Sequence, residues 1–141
     1  ARWTIAANEL TPGKVYQITG LMQATATDST DTLTAALRFG TTSATPASNT
    51  LVGTSTAVDA VNADVSAFSV ILDVQTATRA VVSGFITDCD AVNSKALSCQ
   101  VGSVLTIAAD TVYYFDFTAD WSVAAAANSC RAESFTVIEL V

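Results

Sequence analysis

A chain of 141 residues, half of them hydrophobic and 13% charged, is long enough to bury one sizeable core and short for two. Its net charge of −7 and its six scattered Lys and Arg residues, from Arg2 to Arg131, argue against nucleic acid or an anionic membrane surface as a partner, because binding to phosphates is driven by clustered basic side chains. The absence of His excludes the Ser-His-Asp triad, the Cys-His pair and His-ligated metal sites in one step.

Ala (25 residues), Thr (21) and Val (16) dominate, whereas Glu and Lys together number five. Thr and Val are β-branched and suit a pleated surface, and the usual surface helix formers are missing, so the composition favours strands. No apolar run reaches the roughly 18–20 residues that a membrane-crossing helix needs, and no basic segment followed by an apolar stretch opens the chain. The expectation is a soluble single domain over 1–141, with 1–13 as a candidate N-terminal arm.

Alternation of apolar and polar residues marks the elements in order. Thr11-Pro12-Gly13 is a turn, after which 14–22 places Tyr16, Ile18 and Met22 opposite Gln17 and Thr19. The stretch 31–39 sets Leu33, Ala35, Leu37 and Phe39 against Thr32, Thr34 and Arg38. Strands are also expected at 51–58, 66–74, 79–87, 97–107 with Gly102 as a bulge or turn, 111–121 and 130–141. Polar turns separate them at 28–31, 45–49, 61–64 and 88–94, and the alanines at 124–127 are too few to nucleate a helix.

About eight short, regularly spaced strands point to an all-β fold, a two-sheet antiparallel β-sandwich of jelly-roll type. An immunoglobulin-like sandwich fits less well, since Trp3 and Trp121 both lie outside the interval from Cys89 to Cys99.

Chemistry without His narrows to paired carboxylates of the kind that cleave glycosidic bonds. Asp28, Asp31, Asp59, Asp64, Asp88 and Asp90 fall in expected turns, where solvated capping accounts for them. Asp116 and Asp120 share a strand with Tyr113, Tyr114, Phe115, Phe117 and Trp121, so they would either line a sugar-binding cleft or be outward acids on a strand with core aromatics. Asp88-Cys89-Asp90 opens like a calcium loop but lacks the central Gly and closing Glu, and Gly53 is not followed by a phosphate-holding Lys. No catalytic, cofactor or metal site is expected. Cys89 and Cys99 flank a polar segment that a disulfide or a pair of cross-strand thiols would span, which leaves Cys130 as a small buried hydrophobe.

Strict alternation through the last strand turns Arg131, Glu133 and Glu139 outward together with Phe135 and Val137. An apolar pair among charges implies either a subunit contact or a bulge. With Trp3 near the N-terminus, Phe135 and Val137 are therefore candidates for a subunit or capsid interface.

The run Thr111-Val112-Tyr113-Tyr114-Phe115-Asp116-Phe117-Thr118-Ala119-Asp120-Trp121-Ser122, the small-residue connection to Asn128 and the closing Ser134-Phe135-Thr136-Val137-Ile138-Glu139-Leu140 resemble the last two strands of phage virion jelly rolls. Leu10-Thr11-Pro12-Gly13-Lys14-Val15-Tyr16 and Leu37-Arg38-Phe39-Gly40-Thr41 are similar in kind. The resemblance implies a capsid decoration (cement) or accessory virion protein, a homotrimer on the capsid surface whose partner is the major capsid protein or another virion protein. It brings no catalytic residue. A carbohydrate-binding or adhesin-like sandwich module, from a phage fibre or secreted, is the second reading.

Overall fold

Among the described residues ten strands carry the alternation into three dimensions: β1 (Arg2–Ile5), β2 (Val15–Ala26), β3 (Thr32–Gly40), β4 (Thr50–Thr54), β5 (Val58–Asp59), β6 (Val65–Thr76), β7 (Arg79–Asp90), β8 (Lys95–Thr106), β9 (Tyr113–Trp121) and β10 (Ser129–Glu139). The computed structural model describes residues 1–26, 31–59, 64–90, 95–123 and 126–141. Among them one 3₁₀ turn, Pro46–Ser48, is the only helical element.

The strands form two antiparallel sheets of a β-sandwich: the smaller has the four-strand path β1-β9-β3-β4 with the two-residue β5 also on β3, and the other, referred to below as the five-stranded sheet, has the order β10-β2-β6-β7-β8. The eight strands expected from periodicity are all present. Early and late strands wrap around one another, β2 pairing with β10 and β3 with β9, while β6, β7 and β8 form a meander within one sheet.

Each long strand turns one set of alternate residues inward. Tyr16, Ile18 and Met22 of β2, Phe68, Val70, Leu72 and Val74 of β6, and Ala80, Val82 and Ile86 of β7 meet Leu33, Ala35, Leu37 and Phe39 of β3 and Phe115 and Phe117 of β9. At the centre, Phe68 lies 4.7 Å from Phe117, 6.5 Å from Phe115 and 5.9 Å from Phe135, ring centre to ring centre. That gathering depends on Gly20. The register sets Gly20 between Phe135 and Phe68, and the two rings meet over the place where a side chain would stand. A Cβ at Gly20 would fall on the Phe68 ring.

Three expectations need correction. Residues 1–13 do not all form an arm, because Arg2–Ile5 pairs with β9 from Arg2 opposite Asp116 to Ile5 opposite Tyr113. Gly102 neither bulges nor turns, since β8 pairs with β7 through it without a register shift. In β10, Phe135 and Val137 pack against the core and Ile138 is exposed. The cause is a register shift between Ala132 and Ser134 that leaves Glu133 as an extra residue, so every position after it faces opposite to strict alternation.

Two substitutions test this arrangement. Gly20→Val forces the Phe68 ring to move and is expected to cost about 1–3 kcal/mol, read as a lower urea midpoint with an unchanged m-value. Val137→Asp, which sets a carboxylate against the core, is expected to cost about 2–3 kcal/mol; a urea midpoint equal to wild type would show that Val137 faces solvent.

Candidate functional site

Asp116 and Asp120 of β9 face outward from the smaller sheet, while Phe115 and Phe117 on either side of Asp116 are buried. Asp116 is itself buried beneath the N-terminal strand and the 41–49 loop. Arg2 Nε donates to Asp116 Oδ1 at 2.6 Å, and its guanidinium also donates to the Ser43 carbonyl at 2.8 Å and lies 4.7 Å from the centre of the Tyr114 ring. Asn49 Nδ2 donates to Asp116 Oδ2 at 3.2 Å and to the Thr42 carbonyl, while Asn49 Oδ1 accepts from Thr42 N. The ion pair holds Arg2 more firmly protonated than a free guanidinium, chiefly through its hydrogen bond with Asp116.

Arg38 stands opposite Asp116 in the register, approaches Asp120 at 3.7 Å and donates to the carbonyls of Ala47 and Asn49. The two carboxylates are thus occupied as ion-pair partners that fasten β1 and the loop. Tyr113, Phe115 and Phe117 of that strand are buried in the core, while Tyr114 is half-buried on its outer side under the Arg2 guanidinium and Trp121 is half-buried at its end. A recess of about 390 Å³ near Phe39 and Tyr113 is lined by Thr41, Thr50 and Thr106 and contains no acid or base.

Three of the six acids expected as solvated turn caps behave otherwise, while Asp28 and the side chains of Asp59 and Asp90 lie outside the described residues. Asp31, Asp64 and Asp88 are buried, Asp88 inside β7 with 1% of its surface exposed. Asp88 Oδ1 accepts from Ser66 Oγ at 2.5 Å, and Oδ2 has no hydrogen-bond partner. Asp31 Oδ2 accepts from Asn128 Nδ2 at 2.7 Å. Among the described residues no cluster of His, Cys, Asp and Glu has the arrangement of a metal site.

Cys89 and Cys99 lie on neighbouring strands, where the backbone register sets Cys89 opposite Ala96 and Cys99 opposite Ile86. Their side chains, with the 91–94 segment between them, lie outside the described residues. Cys130 is a free, half-buried thiol whose burial pushes its pKa up, away from the thiolate that reactive cysteines present. Trp3 packs on Tyr16 with ring centres 5.0 Å apart.

The outer face of the five-stranded sheet has a different character. One row across the strands reads Thr136, Thr19, Ser69, Phe85 and Gln100. The next reads Ile138, Gln17, Ile71, Ser83 and Gly102, and a third begins Ser134, Leu21, Ala67 and Thr87. None of these residues is charged, and Phe85 and Ile138 are each about half exposed. Among the described residues charges stand only at the margins, where Gln75 donates to Asp73 and accepts from Arg79 at one end and Arg131 pairs with Glu133 at the other. Sequence reasoning looked for apolar residues in β10 and missed this face, whose one readable signal is the scarcity of charge on alternate positions of β2, β6, β7 and β8.

No family model, curated protein or solved structure matches the chain.

Removing Arg2 leaves the Asp116 carboxylate in place with Asn49 as its remaining side-chain partner, so Arg2→Ala is expected to cost about 2 kcal/mol, measured by urea unfolding. Asp88 gives a pH test. Burial raises its pKa above the ordinary 3.8, against the opposing effect of the Ser66 hydroxyl, which donates to it, and of the Ser55 hydroxyl. The folded chain therefore holds this proton more tightly than the unfolded chain, and the carboxyl's contribution to stability falls as pH rises above 3.8 towards the folded-state value. Asp88→Asn keeps an acceptor for Ser66 and removes the ionisation. Its melting temperature is expected to exceed wild type at pH 7, with the gap closing as pH falls below 3.8. A gap that widens in acid would place the carboxylate in a stabilising role.

Proposed function

We propose that the chain is a structural virion protein of the capsid decoration (cement) kind, a non-catalytic homo-oligomer bound to the outer surface of a phage capsid and stabilising it. The observation that carries this reading is the uncharged outer face of the five-stranded sheet. Cores of protein interfaces are depleted in charged residues, because every charge brought there must be stripped of water. A chain of net charge −7 that keeps the central rows of one sheet free of charge has the surface needed to lie against protein.

The choice of a capsid as the partner rests on the resemblance of the C-terminal third to phage virion jelly rolls. In the fold those residues become β9 and β10, one strand in each sheet, and each pairs with a strand from the first third of the chain.

Electron cryomicroscopy of particles from the source of this chain tests the proposal. The expected result is density the size of a 14.6 kDa domain at symmetry-related positions on the outer shell. Particles stripped of the chain are expected to disrupt several degrees lower and to recover when it is added back, as ligand linkage requires. Shells that neither carry the chain nor bind it at micromolar concentration would refute the assignment.

A further inference from the structure

The outer face of the five-stranded sheet has the extent, charge and shape of a self-contact, and we infer that it packs against the same face of a second copy of this chain. The inference rests on the reading of the chain as an assembly protein and names the partner of that surface.

Extent comes first. Nine consecutive positions of β2 pair with β6, and five strands lie side by side. At about 3.3 Å per residue and about 4.8 Å per strand the face measures roughly 600–700 Å², close to the about 800 Å² per partner of a stable protein interface.

Charge selects the partner. A second copy brings another −7, and most approaches between two such bodies are repulsive. Five of the acids, however, lie away from this face, Asp116 and Asp120 on the outer side of the other sheet and Asp31, Asp64 and Asp88 at one loop end, while Asp73 stands at its edge, beyond Ile71 on β6. With sheets about 10 Å apart in each sandwich, face-to-face stacking holds the two charged outer sides about 30 Å apart, several times the screening length of about 8 Å at physiological salt. Asp73 with Arg79, and Arg131 with Glu133, put both signs at each margin, so neither end confronts its counterpart with a single charge.

Relief comes last. Phe85 stands opposite Ser69 and Gln100, with Ser83 and Gly102 in the next row, so small side chains or none flank it on all sides but that of Gln100. A twofold axis lying in the contact plane would set each Phe85 against the small-residue positions of the other copy, the isologous arrangement that closes at two. This contact joins pairs, whereas the phage resemblance implies threes.

Sedimentation of the whole chain tests the inference. At micromolar concentration wild type is expected at twice the 14.6 kDa chain mass. Phe85→Glu and Thr136→Lys each bury two like charges in the pair, and each is expected to weaken association at least about 100-fold while near-ultraviolet circular dichroism stays native. Thr34→Lys, on the outer side of the other sheet, is expected to leave the dimer intact. A wild-type monomer up to about 100 µM overturns the inference, as does a dimer that survives both face variants with native spectra. Capsid binding by a strictly monomeric wild type would overturn the self-contact and leave the virion assignment standing. A dimer abolished by both variants, in a chain that binds no shell, would support the self-contact and sink that assignment.

Discussion

The Phe68 ring, resting over a glycine, is the contact on which the rest of the sandwich depends. It touches Phe117 of the facing sheet and Phe135 of the edge strand, joining three strands from both layers at one point. Gly20 makes room for this, and the room has a directional effect on β10. An edge strand bonded to one neighbour is held weakly unless its side chains reach the core. Phe135 reaches it across Gly20, and Val137 follows beside Ile18. The extra residue at Glu133 brings both to the inner side.

The two sheets divide the work of the surface. Outside the smaller one, Arg2, Asp116, Arg38 and Asp120 form a ladder of alternating charge under the 41–49 loop. Its bonds are directed inward, fastening β1 and the loop to the sheet, and removing one partner leaves the other with an uncompensated charge. Outside the larger sheet the rows are threonine, serine, glutamine and aliphatic residues on a regular lattice. One face spends its polar groups on holding the fold together, which leaves the other available for contact with protein.

Periodicity made eight of the strands legible, seven of them because alternation over nine to twelve residues has few competing explanations, while β4 was found as part of a longer expected stretch, 51–58. The four residues of β1 and two of β5 are too short to show a period, and they form strands because β9 and β3 offer unpaired edges. Asp88 and Asp64 looked like turn caps, since a sequence shows a polar residue between apolar runs but not how far the neighbouring strand extends over it. The Arg2, Asn49 and Asp116 cluster was out of reach for another reason: its members lie 67 and 114 residues apart in the chain, and only the strand register brings them together. The outer face was hidden in the same way. Gln17, Ser69 and Phe85 are unremarkable on their own strands and form a surface only when the strands are placed side by side.

The pairing of β2 with β10 also governs when the molecule can come into being. Lys14 and Glu139, joined across that pair at 3.0 Å, are separated by 125 residues. A chain emerging from the ribosome presents β2 long before the residues of β10 exist to pair with it, so that edge of β2 waits open through most of synthesis. Long-range pairings of this kind are slow to form and leave strand edges open to other nascent chains. High-level expression therefore sets the yield of this protein by a race between completion of its last strand and capture of the second by a neighbour.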